Sequence, residues 1–318
     1  MSGRKKRGVL VLLLTAVIAL LLSAAFAGRK ALGSWRGVRT QLDAIEENTL
    51  VSRRLLNSFS FPSGTSPDSV VFDYDWLDGQ FLIAHALGDT DGHTYTNSRE
   101  ALEQAYRDGI RLFEADFQIL DGHVVLMHDA RQFCESAGLD PTALDYDSFR
   151  SAKIFGTFSP LVLEDLLMFM SEHPDMILIT DSKYSGGAES AFVLSSLVLE
   201  AEKLDPSVLD RVVVQIYNQN MLRQVMGIFP FRSVIYTLYI SPDSDEQAIR
   251  FCLESGVGAV TAHVDRMSPE LLDRLHAAGL YALVHPVSSA KDANDWMQRG
   301  ADAVYSEFVT PDQLKAPG

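Results

Sequence analysis

The period of apolar and polar positions changes along this chain. Residues 8–27, GVLVLLLTAVIALLLSAAFA, form an uncharged run with no polar stripe. At about 1.5 Å per residue the run spans about 30 Å, the thickness of a bilayer core, and it reads as a transmembrane helix or a signal peptide. Residues 28–80 read as a stalk and lead-in. A polar, helix-compatible stretch reaches about Leu56, and then FPSGTSPDS (61–69) ends any helix with Pro, Gly and Ser. From Phe81 onward, short apolar runs alternate with longer amphipathic ones. The predicted strands are 81–85, 110–117, 176–182, 211–217, 233–239, 257–263, 280–286 and 301–306. Helical periodicity falls between them at 97–108, 160–173, 187–203, 218–228, 244–255, 268–278 and 289–299, and Gly109, Gly256, Gly279 and Gly300 punctuate helix ends.

Eight strands alternating with seven helices predict an α/β fold, a (β/α)8 TIM-type barrel over 81–318, close to the roughly 250 residues such a barrel uses. One strand is extra to that pattern. Asp121-Gly122 separates the second strand from HVVLMHD (123–129), and Asp-Gly between apolar runs is a strong hairpin signal. The added leg is therefore expected to run antiparallel to the second strand.

Charge divides the chain. The formal net charge is −15, but the first 30 residues hold six Lys or Arg and no acid, which leaves 21 basic against 42 acidic residues in the remainder. A body this acidic is unsuited to nucleic acid, so no nucleic-acid partner is expected. The cluster Arg4 to Arg7 favours a cytoplasmic tail (1–7), with the helix as the membrane partner and the barrel outside. Ala25-Phe26-Ala27 offers a small-x-small cleavage site, but the apolar run exceeds the roughly 7–15 residues of a usual signal. An uncleaved anchor is the expectation; cleavage would make the domain secreted. Two cysteines, Cys134 and Cys252, exclude a disulfide scaffold and are expected to be separate thiols.

The polar residues of interest sit late in strands or just past them: His85, Glu114, Asp116, Asp181, Lys183, Gln215, His263, His285 and Glu307. In a barrel those ends form the active-site face. His93 and His123 read as surface residues, and His173 and His276 as exposed helix residues.

Three pieces align: His85 at the end of the first strand, Glu114-x-Asp116 on the second, and Asp121-Gly122 followed by His128-Asp129 on the hairpin. This order resembles the glycerophosphodiester phosphodiesterase family, within the phosphatidylinositol-phospholipase-C-like barrels. TYTNSREALEQAYRDGIRLFEADF, ITDSK, VVVQIYNQNML and GADAVYSEF carry the resemblance through most of 81–310. It implies a metal-dependent hydrolase of glycerophosphodiesters, lysophospholipids or a related envelope phosphodiester. The chemistry suits these residue types. Phosphodiester cleavage needs a base and an acid, which two histidines supply near neutral pH, and His85 and His128 are the candidates. Glu114 and Asp116, two apart on a strand, share a face and can hold a hard cation, Mg²⁺ or Ca²⁺. Asp181 is the expected third ligand, where the family usually has Glu. The resemblance makes Lys183 a phosphate contact and puts His285 on the family's substrate strand. Gln215 is either a substrate contact or a satisfied barrel residue.

The chain departs from the family after the first histidine. His85-Ala86-Leu87-Gly88 stands where the family has His-Arg-Gly, so a guanidinium contact to phosphate is lost. Arg131, Lys183 or a second cation is the expected compensation. Asp89, Asp91 and His93 lie close to the site in sequence and form either a lip over it or a solvated loop. Two rival readings follow: a weakly active or inactive barrel serving as a binding or scaffold module, and a metal-free cyclising phospholipase-C-like enzyme.

Overall fold

The structure, a computed structural model, describes residues 71–315. The apolar run 8–27 and most of the stalk lie outside the described residues. Among the described residues, strands β1 (Leu82–Ala84), β2 (Leu112–Leu120), β3 (His123–Leu126), β4 (Ile177–Asp181), β5 (Val212–Ile216), β6 (Ser233–Thr237), β7 (Ala259–His263), β8 (Tyr281–His285) and β9 (Ala303–Ser306) form one sheet. Parallel pairing runs β1, β2, β4, β5, β6, β7, β8, β9 and returns to β1, which closes a (β/α)8 barrel. Each predicted strand and each predicted helix is present, with ends moved by a few residues. The extra leg β3 pairs antiparallel with β2, in register Phe117 to Leu126 and Leu120 to His123. Asp121 (φ +50°) and Gly122 (φ +78°) supply the two left-handed positions that a two-residue hairpin needs.

The helices are α1 (Arg99–Arg107), α2 (Ala130–Ala137), α3 (Tyr146–Ser151), α4 (Leu163–Glu172), α5 (Gly187–Leu204), α6 (Gln219–Ile228), α7 (Asp245–Ser255), α8 (Pro269–Ala277) and α9 (Ala290–Gln298). Local chemistry sets their ends. Ser98 caps α1 by accepting from the Ala101 N–H, and Ser244 with Gln247 forms a capping box on α7. Helices α2 and α3, the two shortest at eight and six residues, have no counterpart in the periodic reading. They pack with the hairpin in their own apolar cluster around Phe133, Phe149 and Ile154.

The alternation of β2 divides its side chains. Phe113, Ala115 and Phe117 join the large cluster between strands and helices, whereas Leu112 enters the barrel interior. The interior floor combines Leu112 with Ile83, Ile179, Val213, Ile235, Ala259, Leu283, Ala303 and Tyr305, closed from below by Tyr74 and Leu77. The last lead-in residues are thus part of the barrel. The Tyr74 hydroxyl donates to Val234 O at 2.7 Å and accepts from the Gly258 N–H at 2.7 Å. Gly258 is required there: a Cβ would lie 2.5 Å from the Tyr74 ring.

Candidate active site

One rule of spacing builds the site. Two residues beyond the apolar floor position of each strand, the next inward position is polar or aromatic. Ile83 leads to His85, Leu112 to Glu114 and Asp116, Ile179 to Asp181, Val213 to Gln215, Leu283 to His285, and Tyr305 to Glu307. Parallel register then levels them: Asp116 lies opposite Asp181 and His263 opposite His285. A cavity opens here, lined by His85, Glu114, Asp181, Gln215, Tyr239 and His285 among others.

Glu114, Asp116 and Asp181 each offer an oxygen, and these atoms lie within 4.8 Å of one another. Glu114 Oε2 accepts from the Ala86 N–H at 2.8 Å, while Glu114 Oε1 is buried with no partner. Asp116 is clamped from both sides by Asn97. Asn97 Nδ2 donates to Asp116 Oδ2 at 2.7 Å, and the Asp116 N–H donates to Asn97 Oδ1 at 3.1 Å. Lys183 Nζ bridges Asp116 Oδ1 at 2.5 Å and Asp181 Oδ2 at 2.6 Å. The oxygen donor set and the orphaned buried Glu114 oxygen fit a hard divalent cation.

Burial, and then the neighbouring Asp116 charge, pushes the Glu114 carboxyl up to about 8. Burial would also raise Asp116, but Lys183, followed by His128 and His85, holds it below the ordinary carboxylate range. Asp181 is raised by burial against the opposing pull of Lys183. The Lys183 ammonium itself is stabilised: burial opposes its charge, and Asp116 and Asp181 outweigh burial.

His85 Nδ1 lies 2.6 Å from Glu307 Oε1, and His85 Nε2 lies 3.9 Å from Glu114 Oε2. Burial works against the imidazolium, but the Glu307 hydrogen bond and then the Glu114 charge raise His85 to about 9. His128 is half-buried, its Nδ1 without a partner, at the end of the hairpin leg. Tyr95 stands between the two histidines, its ring centroid 5.2 Å from that of His85 and 4.8 Å from that of His128. Asp129 is not in the site; it caps α2 through the Gln132 N–H.

The remaining candidates divide. His285 lies at the mouth, its Nε2 buried without a partner, and burial followed by the His85 charge pushes it down to about 3. Gln215 faces the cavity but is also held in the barrel, donating to Thr180 O at 3.3 Å and accepting from the Tyr305 hydroxyl at 3.5 Å. His263 pairs with Asp265 at 3.3 Å on the rim.

Several expectations need correction. Arg131 does not replace the missing guanidinium: it is exposed on α2 and pairs with Glu135 at 2.8 Å. Ala86 is fully buried and turns its N–H, not a side chain, toward the acids. Of the two readings of the Asp89 to His93 segment, the structure gives a tight turn beside the site: the Asp89 N–H donates to Glu307 O at 3.1 Å, Asp89 Oδ2 accepts from the Gly92 N–H, and His93 stacks on Phe155 at 3.9 Å. His173 is half-buried rather than exposed, stacked on Phe169 at 3.9 Å. Cys134 and Cys252 are buried free thiols.

Glu307 carries no role in the sequence pattern beyond its place at a strand end, and Asn97 and Tyr95 are not among its candidates. The period-two step from Ala303 through Tyr305 was the available signal for Glu307. For Asn97 and Tyr95, both at positive φ in a loop (+46° and +56°), no periodicity existed to read.

The comparisons with known proteins agree with this geometry. Residues 88–310 match the model of the "Glycerophosphoryl diester phosphodiesterase family", a span that begins just after His85. No curated protein matches the chain. Solved structures share the fold. A glycerophosphodiester phosphodiesterase from Parabacteroides distasonis is 18% identical (TM-score 0.57), with 72% of this chain and 92% of that one covered. An Oleispira antarctica phosphodiesterase, solved in complex with the product sn-glycerol-3-phosphate, is 17% identical (TM-score 0.58; 72% and 93% covered). The glycerophosphodiester phosphodiesterase of Thermotoga maritima is 16% identical (TM-score 0.52; 72% and 94% covered).

Proposed function

The chain belongs to the glycerophosphoryl diester phosphodiesterase family and is a phosphodiesterase, and from that premise we propose a membrane-anchored, outward-facing, metal-dependent hydrolase of glycerophosphodiesters or lysophospholipids. The observation that carries the reading is the convergence of three carboxylate ligand atoms within 4.8 Å beside His85 at the barrel mouth. Glu114, Asp116 and Asp181 would hold one Mg²⁺ or Ca²⁺. When bound, the ion would neutralise charge on the phosphoryl group.

The chain's own residues do the rest. Glu307 keeps the proton on His85, which suits His85 to protonate the departing alkoxide. His128, across Tyr95 with a free ring nitrogen, is placed to accept the proton of the attacking water or hydroxyl. Asn97 fixes Asp116, so the ligand set is held before substrate arrives. His285 stays neutral and offers Nε2 to the alcohol portion of the substrate, with Gln215 on the adjoining wall. Phe155, Tyr239, Ile240 and Phe308 are exposed, and the last three follow barrel strands at the mouth, a rim suited to an acyl-bearing substrate. The apolar run 8–27 supports the tether, which would hold the acidic body at an anionic bilayer that repels it.

The test is hydrolysis by the full-length protein, with and without EDTA and added Mg²⁺ or Ca²⁺, on glycerophosphodiesters and lysophospholipids. Turnover that needs metal and disappears in Glu114→Gln is the expected result. Turnover that survives EDTA would overturn the metal-dependent reading. Recovery of a chain lacking 8–27 in the membrane fraction would overturn the anchor.

A further inference from the structure

The carboxylate cluster already contains a cation that belongs to the chain. Lys183 lies two residues beyond the last position of β4, with φ at +50°, a conformation that a side chain with a Cβ adopts only under constraint. That turn folds the ammonium back onto the strand end. Its Nζ meets Asp116 Oδ1 at 2.5 Å and Asp181 Oδ2 at 2.6 Å, and its N–H points at Asp181 Oδ1 at 3.3 Å.

The oxygen inventory then becomes restrictive. Asp116 Oδ2 accepts from Asn97, Asp116 Oδ1 and Asp181 Oδ2 face the ammonium, Asp181 Oδ1 accepts from the Lys183 backbone N–H, and Glu114 Oε2 accepts from the Ala86 N–H. Glu114 Oε1 remains, buried and unpartnered. A carboxylate oxygen that accepts one hydrogen bond keeps a further lone pair for a metal, but the ammonium lies against Asp116 Oδ1 and Asp181 Oδ2 together, the position a cation shared by the two carboxylates would take. The charges point the same way. Lys183 brings one positive charge where a divalent cation would bring two, and the cation and the ammonium need the same oxygens.

We propose that Lys183 is a tethered counter-ion that competes with the divalent cation for Asp116 and Asp181, so that metal loading and release of the ammonium toward the mouth are one event. The inference rests on the reading that this cluster binds metal. It explains how the metal-free site keeps Asp116 buried without an isolated charge. It also gives the lysine two successive partners: the carboxylates in the empty protein, and a phosphoryl oxygen once the carboxylates are engaged. A substrate would then meet both positive charges together or neither.

The experiment follows Mn²⁺ binding to the full-length protein in detergent by the loss of the free-ion EPR signal. Lys183→Met, which removes the charge and keeps most of the side-chain volume, should bind Mn²⁺ at least about tenfold more tightly than the parent. Its melting temperature without metal should be lower, and Mn²⁺ should raise it by more than it raises the parent's. Lys183→Arg, which keeps the charge, should bind no more tightly than the parent. A folded Lys183→Met with parental or weaker affinity would overturn the competition and leave the metal reading intact. Mn²⁺ bound by Lys183→Met but not by the parent would support the competition and overturn metal dependence of the natural protein. Binding by neither would overturn both. A second readout needs no variant. Acetylation of Lys183 in the parent, followed by peptide mass spectrometry, should accelerate when Mn²⁺ is added, and an unchanged rate would count against release.

Discussion

Glu307 Oε1 and His85 Nδ1 lie 2.6 Å apart although 222 residues separate them in the chain. The contact spans the seam where β9 pairs with β1, with Ala84 opposite Ser306. Barrel closure is what brings the first strand's imidazole against the carboxylate that follows the last strand. The hydrogen bond fixes the ring orientation and leaves Nε2 facing the Glu114 side of the cavity.

Glu307→Gln keeps the shape and removes the charge. Without that charge His85 loses its main stabilising partner for the proton. The expected outcome is a kcat about 10²-fold lower with KM little changed, measured by steady-state kinetics on a soluble glycerophosphodiester. A parental kcat would show that His85 needs no such partner.

Asn97 does not line the cavity, yet it holds Asp116 by two reciprocal hydrogen bonds. Asn97→Ala should weaken divalent-metal affinity by about 10–100-fold, the usual effect of losing an outer partner of a ligand. Isothermal titration with Mg²⁺ or Ca²⁺ checks this, and circular dichroism confirms that the barrel is intact.

Tyr74 and Gly258 form a lock at the barrel floor. Gly258→Ala should cost about 1–3 kcal/mol by overpacking against the ring. Tyr74→Phe should cost about 1–3 kcal/mol, because Val234 O and the Gly258 N–H lose their shared partner. In a Tyr74→Ala background, Gly258→Ala should cost much less, since the clash is gone. Urea unfolding of the four proteins closes the cycle. Additive costs would contradict the lock.

The buried His285 ring predicts an acid-sensitive term in stability. Its ordinary value is 6.5, and burial, with His85, His263 and Lys183 near it, lowers it to about 3 in the folded protein. Between those values the unfolded chain binds a proton that the folded one does not, so this contribution is complete above about pH 6.5 and is lost as pH falls toward 3. The metal-free parent should therefore lose stability on acidification faster than His285→Asn. The difference between their urea midpoints, followed from pH 7.5 to pH 4, isolates this group from the carboxylates both proteins share. A constant difference would show that His285 is not buried neutral.

Local pattern was sufficient for the frame. Short apolar runs mark eight strands, period 3.6 marks seven helices, and Asp121-Gly122 marks the hairpin and its added leg, because each is a short-range consequence of backbone geometry and side-chain burial. Position late in a strand puts His85, Glu114, Asp116, Asp181, Gln215 and His285 at the active-site end of the barrel, and alternation puts Glu114 and Asp116 on one face. What tertiary structure decided were contacts that depend on closure and on loops at left-handed backbone angles. Glu307 reaches His85 only because β9 returns to β1. Asn97 and Tyr95 reach the site through a loop with no period, and Lys183 turns back onto Asp116 and Asp181 through a single positive φ. Arg131 shows the converse: two residues past Asp129 in sequence, it is carried outward by the first turn of α2. Periodicity assigns a side chain to a face, but only the three-dimensional chain path brings two charges within hydrogen-bonding distance.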